Sequence, residues 1–389
     1  MPPHPALIAA WARSAVVPRE GAFKALQAHD IAAPVLQALL QRAGLDASCV
    51  DAVVLGNALG AGGNPAKLLA LHAGLPQHCA AYTVDTQCCA GLDAVALGVG
   101  LIASGQAEVV VAGGAEAWSR SPLRMHRPLH ADEAPVPFDR PAFAPSPAQD
   151  PDMLLSAARY AAAQGYTRTQ QEAFALQSHQ RALTHQADIA NEIVPIAGVM
   201  HDSYPRLIDA TRAARMPVVA QTDGLDAQQA QAFALSALTI SAQCDGAALV
   251  LLVSPQAAER LNVQAQATWV AYASVGAAPQ TPLLAAELAA RAALLRAGLA
   301  HASRLSSVEL HDAFAVQGLS FGEALGLNPE QLNPRGGGLA RGHPIGASAA
   351  IALVRLLADL QRDGASGAQG LVAVAGAGGL GSAAVVAWL

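Results

Sequence analysis

The sequence predicts an α/β protein of two pseudo-symmetric βαβαβ halves with a segment inserted in the first, and three observations carry that prediction. Short, near-continuous apolar runs alternate with longer Ala/Leu-rich stretches, the pattern of strands covered by helices on both faces. The same order of elements returns after residue 266. Between the halves, from Trp118 to Leu238, the composition changes to a Pro- and Arg-rich stretch followed by a polar one.

The first half reads as a strand over Ala6–Ala12, a helix over Ile31–Arg42, a strand over Val50–Leu55, a helix over Leu92–Ser104 and a strand over Glu108–Ala112. The second half repeats it as Trp269–Val275, Leu283–Ala297, Val308–Leu310, Ser348–Leu360 and Leu371–Ala375. Ala43-Gly44-Leu45 matches Ala297-Gly298-Leu299, and from Val53 and Val308 onward the halves align with an offset of 308 − 53 = 255. That offset carries Gly91 onto Gly346 and Cys88 onto His343, each in a loop just ahead of a helix. If the halves pack about a pseudo-twofold axis, the two loops face each other across one cleft. Asp245–Ser254 reads as a strand returning to the first half. Seven prolines between Trp118 and Gln149, then a polar helix over Thr169–Ala187, suit an inserted loop domain. The expected division is 1–117 with 238–265, then 118–237, then 266–389.

Composition narrows the function. Of 389 residues 53% are hydrophobic and 13% charged, so the chain buries a large core. A net charge of 23 − 29 = −6 argues against a nucleic-acid partner, which needs a basic face. Five cysteines, two of them adjacent, fit neither a disulfide framework nor a metal-ligand spacing, so no metal is expected and a reducing cytoplasm is. The N-terminus has no basic region ahead of its short apolar run, so no signal peptide is expected. The uncharged stretch Gly370–Leu389 has membrane length, but five glycines, four between Gly376 and Gly381, make it two buried strands joined by a turn.

Four clusters carry chemistry. Cys88 leads into a helix, where the positive end of the macrodipole favours a thiolate; a Cys-Cys pair in apolar surroundings also reads as packing. His343 lies in Gly342-His343-Pro344-Ile345-Gly346, a tight glycine passage that presents an imidazole as base or hydrogen-bond donor. His311 ends a strand, where α/β sheets collect ligands, although it also reads as a cap for the next helix. The turn Gly376-Ala377-Gly378-Gly379 offers backbone N–H groups to an oxyanion. Arg120, Arg124, Arg127, His126 and His130 form a basic patch, read either as a solvated loop or as a contact for a phosphorylated ligand.

Together the clusters resemble the thiolase family, in order and spacing, over nearly the whole chain. Gly62-Gly63-Asn64-Pro65-Ala66 and Val109-Val110-Val111-Ala112-Gly113-Gly114-Ala115-Glu116 belong to the same match. The resemblance implies the thiolase fold with a layered α/β/α/β/α core, and an acyl-CoA acyltransferase with coenzyme A thioesters as substrates and no tightly bound cofactor. It assigns the nucleophile to Cys88, its activation to His343, and the family's Asn-Glu-Ala-Phe loop to His311-Asp312-Ala313-Phe314. Ser241, Phe314, Met153, Ala377 and Gly378 map to substrate-binding positions, and a homodimer or homotetramer is implied. The family's second cysteine is absent: its usual place is Ala375 and its alternative place Ala313. The remaining Cys-His-His set also resembles decarboxylating ketoacyl synthases. A binding subunit with little turnover is the non-catalytic reading.

Overall fold

The computed structural model describes residues 6–389, so the reading of a leader, which leans on residues 1–5, lies partly outside the described residues. Nine strands follow the main path of one mixed sheet: β1 (Leu7–Ser14), β2 (Ala52–Gly56), β3 (Ala80–Val84), β4 (Val109–Ala117), β5 (Cys244–Val253), β6 (Ala267–Gly276), β7 (Ser307–His311), β8 (Gln369–Gly376) and β9 (Leu380–Trp388). Their order is β7-β8-β9-β6-β1-β5-β4-β2-β3. In the first half β2 and β4 are parallel, while β4–β5 and β5–β1 are antiparallel. In the second half β7 and β8 are parallel, while β8–β9 and β9–β6 are antiparallel. The order is thus a palindrome about the β6–β1 seam, with β3 added as an exposed edge. At the seam, among the described residues, Leu7 pairs with Thr268 and Ile8 with Ala267.

The helices complete five layers. Of the twelve helices among the described residues, those that bear on the core and the site are α1 (Ala28–Ala43), α2 (Pro65–His72), α3 (Ala90–Ala103), α4 (Met153–Gln164), α5 (Arg168–Thr184), α6 (Ala285–Arg296), α7 (Ala315–Leu325), α8 (Gly338–Arg341) and α9 (Ser348–Asp363). Helix α1 covers the outer face of the first half and α6 that of the second. Between the halves, Leu92, Val95 and Ile102 of α3 share one core with Ile351, Leu353 and Leu357 of α9, Val110 and Val250 of the first half, and Val372 and Val386 of the second. Helices buried all round need apolar surface on every face. The exceptions on α9, Arg355 and Asp359, are paired with each other at 2.8 Å.

That pair belongs to a buried ionic network that ties the inserted segment to the core. Arg13 of β1 donates to both carboxylate oxygens of Asp202, at 2.7 and 2.9 Å, and to Glu192 at 2.6 Å. Glu192 also receives Arg355. Removing one member of such a group leaves an uncompensated buried charge and costs about 3–5 kcal/mol.

The expected strands and helices of both halves form with small shifts. Helix α3 begins at Ala90, two residues early. The C-terminal stretch is the antiparallel pair β8–β9, and no described helix is long and apolar enough to cross a membrane. Helices α2, α4 and α8 and strand β3 have no counterpart in the sequence reading, and α7 enters it only as the helix that His311 reads as capping.

Candidate active site

Helices α3 and α9 meet at their N-terminal turns, backbone against backbone. A Cβ on Gly91 would stand 2.9 Å from the carbonyl oxygen of Gly346, and one on Gly114 would stand 2.0 Å from the same atom. Only glycine permits this approach. It sets the 3-10 turn Gln87–Cys89 ahead of α3 beside the 3-10 turn Ile345–Ala347 ahead of α9. Cys88 Sγ consequently lies 3.2 Å from His343 Nε2.

The histidine's proton can be placed by counting donors. His343 Nδ1 is 2.7 Å from Ser348 Oγ, and the Ser348 hydroxyl donates to the Pro344 carbonyl at 2.9 Å. A hydroxyl has one proton, so with that proton on Pro344 its oxygen accepts from Nδ1–H. Nε2 is then the bare nitrogen, and it faces the thiol.

Burial decides the charge state. Desolvation pushes the Cys88 thiol up to about 12, although the N–H groups of Ala377 and Cys88 itself point at the sulfur and pull the other way. Desolvation also takes His343 down to about 4. The pair therefore rests as neutral thiol and neutral imidazole. Burial thus works against the thiolate that the helix end would favour, with Cys88 only 8% exposed. The two N–H groups mark a place for a developing oxyanion, and the turn holding Ala377 continues through Gly378 and Gly379 at φ +79° and +82°.

His311 ends β7 with its ring centroid 4.3 Å from that of His343, and its buried Nε2 has no hydrogen-bond partner. Burial, first, and then the neighbouring His343 and Arg341 keep it well below the ordinary histidine range. The helix following it is preceded by Phe314, so His311 is not that helix's cap.

A cavity of about 200 Å³ joins Cys88 and His343 to Met153, Ser241, Phe314 and Ala377, with Ala313 and Ala375 also on its wall. His311 stands behind His343 and Gly378 beside Phe143, both off that wall. The Ser241 hydroxyl donates to the Gly338 carbonyl at 2.7 Å. Of the basic patch, Arg124 lines a separate cavity and donates to the Ala58 carbonyl, His126 stacks on Phe138, and Arg120, Arg127 and His130 are exposed.

Two supporting residues escaped the sequence reading. Ser348 is one; its only signal is a hydroxyl at the first position of α9. Glu116 is the other. Its carboxylate accepts the N–H groups of Gly346 at 3.0 Å, Ala58 at 2.9 Å and Leu59 at 3.3 Å, and the Asn57 amide at 2.9 Å. It thereby fastens the His343 loop to the end of β2, and burial raises it to about 7.

A cysteine facing an unprotonated imidazole nitrogen, with two backbone donors aimed at its sulfur, is an arrangement chemically able to attack a carbonyl carbon. The chain matches the thiolase N-terminal domain over residues 6–256 and the thiolase C-terminal domain over residues 263–388, and it belongs to the thiolase family. It is an acyltransferase. It is 35% identical to an acetyl-CoA acetyltransferase of Chromobacterium violaceum, across 97% of this chain and 98% of that protein. Among solved structures, a Bacillus anthracis acetyl-CoA acetyltransferase superposes with a TM-score of 0.89 at 29% identity, covering 100% of both chains. A thiolase from Ascaris suum in complex with coenzyme A gives 0.89 at 25% identity, over 99% of this chain and 100% of that one.

Proposed function

We propose that the protein carries acyl groups on Cys88 and either cleaves 3-ketoacyl-CoA with coenzyme A or runs the reverse Claisen condensation. The observation that carries this reading is the 3.2 Å contact between Cys88 Sγ and the bare Nε2 of His343. In the cleavage direction His343 takes the thiol proton as sulfur attacks the keto carbonyl, whose oxygen meets the N–H groups of Cys88 and Ala377. The carbon–carbon bond then breaks, the departing enolate takes up the proton that the thiol gave to His343, and the acyl group stays on sulfur. Coenzyme A releases it by a second attack, and its thiol proton returns to Cys88 through His343.

His311 is proposed to serve the second substrate, because neither Ala375 nor Ala313 brings a thiol to the cavity. Ser241, Phe314 and Met153 are proposed to contact the substrate, with Ala377 and Gly378 shaping the oxyanion turn. The division into 1–117 with 238–265, 118–237 and 266–389, a homo-oligomer and a cytoplasmic location belong to the same proposal. The lack of a second thiol beside Cys88 on that wall favours one further reading, condensation with a substrate that loses carbon dioxide, since decarboxylation makes the carbanion without a base. A panel of acyl-CoA and 3-ketoacyl-CoA esters tests the proposal. Cleavage of a 3-ketoacyl-CoA that is lost in Cys88→Ser supports it. Acylation of Cys88 followed only by reaction with a malonyl-type ester replaces it with the decarboxylating reading.

A further inference from the structure

Far from Cys88 in function, on the outer face of the first half, three side chains converge at ion-pair distance with no hydrogen bond between them. Asp30 sits in the first turn of α1 beside His29, and His72 is the last residue of α2. Asp30 Oδ1 lies 3.6 Å from His29 Nε2 and 3.5 Å from His72 Nε2. Those separations exceed the about 2.7–3.2 Å of an N–H···O hydrogen bond. They match something else: two donors about 2.0–2.1 Å from a tetrahedral Zn²⁺ stand about 3.3–3.4 Å apart. All the ligand atoms fall within 4.8 Å of one another, with the two rings edge to face at 5.3 Å.

The surroundings hold this arrangement in place. Asp30 Oδ2 accepts the Gln27 N–H at 2.9 Å, so the carboxylate is fixed by one oxygen and offers the other. His29 and Asp30 side chains are 27% and 30% exposed and His72 50%, which leaves an open side for water as a fourth ligand. A cation there sits between the C-terminal end of α2, whose dipole favours positive charge, and the N-terminal end of α1, whose dipole opposes it, so the three side chains must hold it. Two imidazoles and one carboxylate select a borderline transition cation over Mg²⁺ or Ca²⁺, which prefer all-oxygen shells.

We propose that His29, Asp30 and His72 form a binding site for a divalent transition-metal cation, Zn²⁺ above all, that clasps α2 to α1. The clasp has a mechanical setting. Asn64, which caps the other end of α2, bonds the Ala81 carbonyl at 3.0 Å and the Thr83 hydroxyl at 2.8 Å, both on β3. Strand β3 then runs directly into the Cys88 loop. The site is separate from the reaction and stands whether or not the proposed activity does.

Calorimetric titration with zinc chloride and thermal melting with and without it test the proposal. The wild-type protein is expected to bind one Zn²⁺ at this site and to melt at higher temperature in its presence. His72→Ala and Asp30→Asn, which keeps a cap for Gln27, should each weaken binding at least about tenfold, since even partners outside the ligand sphere alter metal affinity by about 10- to 100-fold. Both should melt like wild type without zinc. His301→Ala, an exposed histidine of the other half, and Cys88→Ser should bind as wild type. Zinc uptake unchanged in His72→Ala, or abolished instead by Cys88→Ser, would overturn the site.

Discussion

The two halves share a topology and an offset of 255 residues, yet they meet the cleft with different equipment. Strand β2 ends in Gly56, where a Cβ would stand 2.5 Å from the backbone of Ala90 and Gly91. Its counterpart β7 ends in His311, whose ring reaches 4.3 Å from His343. Room for that ring comes from Gly338, since a Cβ there would lie 2.6 Å from His311 Nδ1. Thus the first half closes its strand end so that the cysteine's helix can pack, and the second opens the same position to hold an imidazole. One scaffold used twice places a cysteine and a histidine at opposed helix ends, and single small residues decide which half carries which group.

Removing the base should break the comparison most severely. His343→Ala is expected to slow acylation of Cys88 by about 100- to 10,000-fold, the range for a positioned acid/base, in single-turnover measurements with acyl-CoA. A rate within a few-fold of wild type would take His343 out of the mechanism. His311→Ala should separate the two imidazoles: carbon–carbon cleavage and condensation fall by about 100-fold or more while Cys88 acylation persists. Equal loss of both steps would make His311 a support for His343 instead. Ser348→Ala removes the acceptor that holds the proton on Nδ1, and acylation should fall by about 10- to 100-fold, as for other residues that orient an imidazole. Its melting temperature should stay close to wild type, and Ser348→Thr should restore most of the rate.

The pH profile gives a smaller and finer reading. Acylation needs His343 neutral, and burial holds it at about 4. The rate should therefore stay level from neutrality down to about pH 5 and decline only toward pH 4, whereas an ordinary imidazole would lose it near about pH 6.5. The stability sign agrees: between those values the unfolded chain binds the proton that folded His343 refuses, so stability falls as pH drops through that window.

Much of this was legible in the sequence because it rests on periodicity and repetition. Apolar runs showed the strands of both halves, and the common offset carried Cys88 onto His343 before any coordinates. Strand β3 and helix α2 are not legible: the strand is short and exposed along an edge, and the helix buries only Ala66, Leu69 and Ala70, too short a stretch to write a clear period. Glu116 was also hidden, since its partner Gly346 lies 230 positions away. The burial that opposes a Cys88 thiolate is hidden for a related reason: a helix end is visible in sequence, but depth of burial is a property of the whole fold.

Peptide mapping after incubation with an acyl-CoA tests the central claim most directly. The account predicts the acyl mass on Cys88, where sulfur faces His343, and none on Cys89, whose sulfur packs 3.9 Å from the Val374 carbonyl. Acyl mass on Cys89 with Cys88 unmodified would contradict it.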